Sequence, residues 1–169
     1  MPLAQVPGGF VPGVLTSAAL NAGLLVGRPL FVRKTADQSV TSSTTYTDDT
    51  ELYGDVAANC TYHFVLEAFY TAIAAANMKT KFTYPAGSSI VSASFLGNWW
   101  GAFTFSVCGT DGEANTIDGK TTAAPFTIFG LLVTGGTAGE FQVQWAQNTS
   151  NATATKMLAG SRLTLVRCE

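Results

Sequence analysis

The sequence predicts an all-β chain: an antiparallel, jelly-roll-like β-sandwich of roughly eight to ten strands behind an extended N-terminal arm with a short helix. Three observations predict it. Apolar and polar residues alternate in several short runs, clusters bearing Gly and Asn separate those runs, and the first 28 residues have a different composition.

The arm covers Met1 to Arg28 and the sandwich domain residues 29–169. Met1 to Val14 holds three prolines and three glycines. Such a stretch forms neither a helix nor a central strand, so it is expected to be extended and to lean on a neighbour. In Leu15 to Leu25, Thr16 or Ser17 can cap a helix, and Leu20 and Leu24 share one helical face. A helix this short needs a docking surface. Val6, Phe10, Val11, Leu15, Leu20 and Leu24 are the expected docking anchors. Gly27 and Pro29 end the arm.

From Pro29 onward the period is that of strands. Tyr62, Phe64, Leu66, Ala68 and Tyr70 make one wholly apolar face, and Thr61, His63, Val65, Glu67 and Phe69 a mixed one. Phe82 and Tyr84 alternate with Lys81 and Thr83. Phe141, Val143 and Trp145 alternate with Glu140, Gln142 and Gln144. Leu163 and Leu165 alternate with Arg162 and Thr164. Pro125 to Val133 is almost continuously apolar and predicts a strand covered on both faces. Turns are expected at Ala86-Gly87-Ser88, Gly109 to Gly119, Gly135-Gly136, Asn148 to Asn151 and Ala159-Gly160-Ser161. No repeat, heptad or collagen-like triplet marks a fibrous shaft.

Charge and cysteine usage narrow the function. Of 169 residues, 47% are hydrophobic and only 12% charged, which suits a surface that partners cover. The net charge of -2 leaves no basic field for phosphates, so nucleic acid is not an expected partner. Arg28, Arg33 and Lys34 read as a solvated strand edge. No apolar run approaches the ~18 residues of a membrane span, and no secretion leader is expected. Cys60, Cys108 and Cys168 lack metal-site spacing and read as free thiols of a reducing cytosol, with one disulfide among them left open. The sequons at Asn59, Asn148 and Asn151 read as chance matches in a Thr- and Asn-rich chain.

No catalytic residue, metal ligand or cofactor site is expected, and the chain does not read as an enzyme. His63, the single histidine, lies mid-strand without a nucleophile or an orienting acid. Asp48, Asp49, Glu51 and Asp55 could pair as carboxylates, but read as a solvated edge that discourages strand pairing. Asp111, Glu113 and Asp118 lie in a Gly-bearing loop whose spacing departs from a calcium-binding loop. Trp99 and Trp100 face opposite sides of a strand, so one of them is a candidate for an interface or ligand contact.

Two sets of residues carry a family resemblance. Val11-Pro-Gly-Val-Leu-Thr-Ser-Ala-Ala-Leu-Asn21 resembles the N-terminal segment of many tailed-phage virion proteins, a glycine followed by a hydrophobic-Thr-x-Ala-x-Leu-Asn run. Val14 and Ala19 depart from it where acidic residues are common. Arg33 to Thr45, Val56 to Tyr62 and Gln144 to Ser150 resemble small structural proteins of phages that infect actinobacteria. The resemblance implies a virion protein made in the bacterial cytoplasm: a capsid decoration protein, a short head fibre or a minor tail protein. Its partners would be the major capsid or tail proteins, with a host-surface glycan for a receptor-binding version. The closing pattern, Phe141 to Trp145 and Leu158 to Val166, is similar to the last strands of trimeric jelly rolls of the C1q and tumour-necrosis-factor type, which implies a homo-oligomer, a trimer first.

Overall fold

A computed structural model describes residues 27–99, 102–107 and 114–168. The arm anchors from Val6 to Leu24, Trp100 and the acidic residues Asp111 and Glu113 lie outside the described residues, as does Cys108. The described residues form antiparallel strands without a helix.

Twelve strands follow in order: β1 (Pro29–Arg33), β2 (Gln38–Val40), β3 (Thr47–Val56), β4 (Thr61–Thr71), β5 (Met78–Thr83), β6 (Ser89–Trp99), β7 (Ala102–Val107), β8 (Ala114–Ile117), β9 (Ala124–Val133), β10 (Gly139–Gln147), β11 (Thr155–Met157) and β12 (Arg162–Arg167). The larger sheet runs β1-β12-β4-β9-β6-β7, and the smaller β3-β10-β5-β8. β11 pairs with both β2 and β4, on the side of β4 that β12 also occupies. β1 and β2 therefore act as one interrupted strand, and β11 and β12 as another. Counted this way the sandwich has ten strands, within the range expected from the sequence.

The interruptions face each other. Lys34 N–H donates to Ser161 O and Gly160 N–H to Lys34 O. The Ser161 hydroxyl accepts from Phe69 N–H and donates to Leu158 O, tying the break to the end of β4. Gly160 sits at φ +91°, which only glycine adopts without strain.

The core lies between the sheets. β4 buries its expected face, from Tyr62 to Tyr70 on even numbers, and pairs along its length with β9 and β12. Phe64 of β4 meets Phe82 of β5 and Phe141 of β10 at ring-centroid distances of 5.0 and 5.1 Å. Phe82 and Phe141 stack at 5.0 Å. This trio joins the two layers, with Trp145, Leu52, Leu66, Ile128 and Leu132 fully buried around it.

Gly130 of β9 lets the neighbouring backbone approach. A Cβ there would lie 2.1 Å from Ser92 O, where β6 bulges between Ile90 and Ser92, and 2.8 Å from Phe64 Cζ. Because one obstacle is backbone, Gly130→Ala is expected to destabilise the fold by about 1–3 kcal/mol, read from the urea midpoint. An unchanged midpoint would contradict this packing.

Two expectations are corrected. Residues 109–119, read as a loop, contain β8, which pairs with β5. Among the described residues, the apolar run of β9 is covered on one face only. Phe126, Ile128 and Leu132 are buried, whereas Leu131 and Val133 are 36% and 38% exposed on the other side.

Candidate functional site

Lys34 and Asp49, expected on a solvated edge, build a structural lock instead, whereas Arg28 and Arg33 are exposed as expected. Lys34 and Asp49 are 0% and 1% exposed, and Lys34 Nζ lies 2.9 Å from Asp49 Oδ1. Asp49 Oδ2 also accepts from Trp145 Nε1 at 3.2 Å. Its Oδ1 accepts from the backbone N–H groups of Glu51 and Leu52. The cause is a bulge: Gln142 pairs with Tyr53 but Gln144 with Asp48, so β3 carries extra residues against Val143. The bulge shifts the inward phase of β3 from Asp49 to Leu52, Gly54 and Val56. Gln142 Nε2 holds it by donating to Asp49 O and Val143 O. Lys34, at the break after β1, thus ties the larger sheet to β3 of the smaller one. Asp48 and Asp55 are exposed, as expected.

Glu51 stands at the mouth of this lock. Its carboxylate accepts from the Thr35 hydroxyl and from the backbone N–H groups of Thr35 and Ala36, and Lys34 Nζ is 3.5 Å away. These bonds, led by the Thr35 hydroxyl, lower its pKa from 4.5 to about 2 against a smaller opposing effect of burial. A folded pKa below the unfolded one means that the unfolded chain binds more protons between those values. The Glu51 contribution is therefore present above about pH 4.5 and lost as pH falls towards about 2. Glu51→Gln is expected to flatten the fall of stability across that window in acid titrations monitored by near-UV circular dichroism. An identical slope in both proteins would contradict it.

His63 lies on the outward side of β4, half-buried, with Val166 of β12 and Leu131 of β9 as its cross-strand partners. Neither Cys60, which is buried, nor the acidic stretch of β3 shares that face. Cys60 and Cys168 are free thiols. Among the described residues no group of three or more His, Cys, Asp or Glu side chains is placed to hold a metal ion. Trp99 ends β6 opposite Ala102 of β7, so backbone pairing defines its position. Asp118 lends its carbonyl to the Tyr70 hydroxyl, whose pKa burial pushes up to about 12, with the Asp118 charge adding to the shift.

The arrangement with functional content is the outward face of the larger sheet. Register places its side chains in rows. Phe31, Thr164, Val65, Phe129 and Ser94 cross the middle of the sheet. Beside them run Pro29, Val166, His63, Leu131 and Ser92. Phe31 is 57% exposed and Val91, at the β6 bulge, 65%. Charge stands in flanking rows: Arg33, Arg162 and Glu67 share one, in which Arg162 Nη2 donates to Glu67 Oε1 at 2.7 Å, and Lys156 lies in another beside Ser39 and Thr71.

The smaller sheet contrasts with it. Its strands carry Asp48, Asp55, Lys79, Lys81, Glu140 and Gln144, and Lys79 and Lys81 both lie over the Tyr46 ring at about 4.5 Å. The exterior of the larger sheet thus carries most of the exposed large apolar side chains, Phe31, Phe69, Leu131 and Val133 among them, and that of the smaller sheet is more charged. The sequence hint was the nearly continuous apolar run of β9. A third feature is an open cleft of about 480 Å³ beside the start of β1, lined by Arg28, Leu30, Asp55, Tyr62, Leu165 and Arg167 among others.

No protein-family model and no curated protein matches the sequence. Among solved structures, the chain is similar to the VP2 subviral particle of infectious bursal disease virus, at 10% identity and a TM-score of 0.36 over 85% of this chain and 33% of that one. It is similar to the Gt strain of the same virus at 9% identity and a TM-score of 0.37, over 99% of this chain and 38% of the other. The tripod from the baseplate of bacteriophage Tuc2009 gives 12% identity and a TM-score of 0.34, over 99% of this chain and 78% of that one. The chain spans little more than a third of the length of the two infectious bursal disease virus chains. Similarity at this level fixes neither fold nor function.

Proposed function

We propose that this chain is a structural component of a bacteriophage virion, a capsid decoration protein held on the particle by its N-terminal arm. The observation that carries the reading is the apolar exterior of the larger sheet on a chain with only 12% charged residues. Exposed apolar surface of this extent marks an interaction surface, which a protein built into an assembly requires. The resemblance of Val11 to Asn21 to tailed-phage virion proteins supplies the kind of assembly. The strand order adds to it: β1-β12-β4-β9 facing β3-β10-β5-β8 is the order of a jelly roll, with the β6–β7 hairpin added at the β9 edge. The arm, Val6, Phe10, Val11, Leu15, Leu20 and Leu24 foremost, docks on major capsid or tail proteins by apolar anchoring and strand addition. Deleting Met1 to Gly27 is expected to abolish retention on purified particles; full retention would overturn the docking role.

A second reading is a minor tail or fibre protein whose sandwich binds a host-surface glycan. The cleft beside β1 favours it, since Arg28, Asp55 and Arg167 offer polar partners beside the Tyr62 ring. Binding of the purified full chain to a glycan array, lost in Arg28→Ala, would support this reading. No binding at high micromolar concentration would count against it.

A further inference from the structure

We infer that the outward face of the larger sheet is the surface through which copies of this chain bind each other. Extent gives the first argument. β4 is 11 residues long and five strands from β1 to β6 lie side by side. With β1 and β12 at 5 and 6 residues and β9 and β6 at 10 and 11, ~3.4 Å per residue and ~4.8 Å between strands, the face covers on the order of 700 Å². A stable pairwise interface buries about 800 Å² on each partner.

Chemistry gives the second. The two central rows contain no carboxylate, lysine or arginine, and the charges stand in flanking rows, Arg33, Arg162 and Glu67 in one and Lys156 in another. A strongly acidic or basic partner finds no complement there, whereas the same patch on a second copy matches it in polarity. Self-pairing of one patch about a two-fold axis is the commonest solution among oligomers, and it leaves charged rows at the rim. β9 points the same way. Its sequence is that of a strand buried on both faces, yet among the described residues only one face is covered, and a second copy supplies the missing layer.

The inference does not depend on the virion reading, because it concerns the purified chain alone. The test is sedimentation equilibrium of the full-length protein between ~1 and ~100 µM, a range that brackets typical homo-oligomer affinities. The wild type is expected to associate. Phe31→Glu and Leu131→Glu, made singly and together, place charge in the central rows while keeping core residues intact. The pair should weaken association at least 100-fold with thermal unfolding still cooperative. Tyr53→Glu, at an exposed position on the smaller sheet, should leave association unchanged. Should the Phe31 and Leu131 variants unfold, Val91→Lys provides the same reading at a position 65% exposed. A monomeric wild type at the highest concentration would overturn the inference, as would association that survives every folded variant of this face. Loss of particle retention on arm deletion, with self-association intact, would show that the two proposals stand separately.

Discussion

Asp49→Ala is expected to lower folding stability by about 3–5 kcal/mol, the usual cost of breaking a buried ion pair from one side. The substitution leaves the Lys34 ammonium buried. It also removes the acceptor of Trp145 Nε1 and of two backbone N–H groups at the β3 bulge. Each buried donor left unsatisfied costs about 1–3 kcal/mol, so the loss is large even though Glu51 lies within reach of Lys34. The pair itself need not be strongly stabilising, because desolvation offsets its attraction. Asp49→Asn combined with Lys34→Met separates these effects. The amide oxygen can still accept from the backbone N–H groups of Glu51 and Leu52 while both charges are gone. The double variant should recover most of the stability that Asp49→Asn alone loses, giving a coupling of about 1–3 kcal/mol in urea titrations. Strictly additive losses would mean that the lock is not a unit.

The second large effect is expected at the aromatic trio between the sheets. Phe141→Ala should cost about 3–5 kcal/mol, since burial is lost and a cavity remains. Phe141 has 0% exposure and touches one ring from each layer, Phe64 at 5.1 Å and Phe82 at 5.0 Å. Those neighbours belong to different sheets and collapse of one side alone cannot close the gap. Phe141→Leu keeps most of the volume and should cost under about 1.5 kcal/mol. Comparable losses for the two substitutions, measured by urea denaturation, would show that ring stacking rather than volume dominates. Negligible losses for both would contradict the placement of the trio at the centre of the core.

The fold was legible where one face is consistently buried. β4 and β12 follow the alternation of their sequences, β10 follows it at Phe141, Val143 and Trp145 but buries Gln142 as well, and the turns at Gly87 and Gly160 coincide with positive φ. Lys34 and Asp49 were not legible as a pair. Composition reads a charge beside a strand end as solvated, and nothing local reveals a partner 15 residues away. The available signal was a slip of phase: in β3 the apolar Leu52 and Val56 lie on even positions, and Asp49 breaks that period. β8 was hidden because it has four residues and no alternation. The strand count depended on whether the breaks at 34–37 and 158–161 divide a strand or only bend it. For β9 the residues told that cover is needed on both faces, but sequence does not say whether the cover comes from the same chain. That is why the apolar exterior, the feature most relevant to function, was read as core. The arm anchors and Trp100 lie outside the described residues, and the arm's docking role stands on composition and resemblance.

The central claim is that this chain serves an assembled particle. The most direct measurement is cryo-electron microscopy of virions that carry a C-terminally tagged copy, with quantitative mass spectrometry of the same purified particles. The proposal predicts density for the tag at symmetric positions on the particle and a fixed copy number. Absence of the chain from washed particles, with the protein recovered only in the soluble fraction, would contradict it.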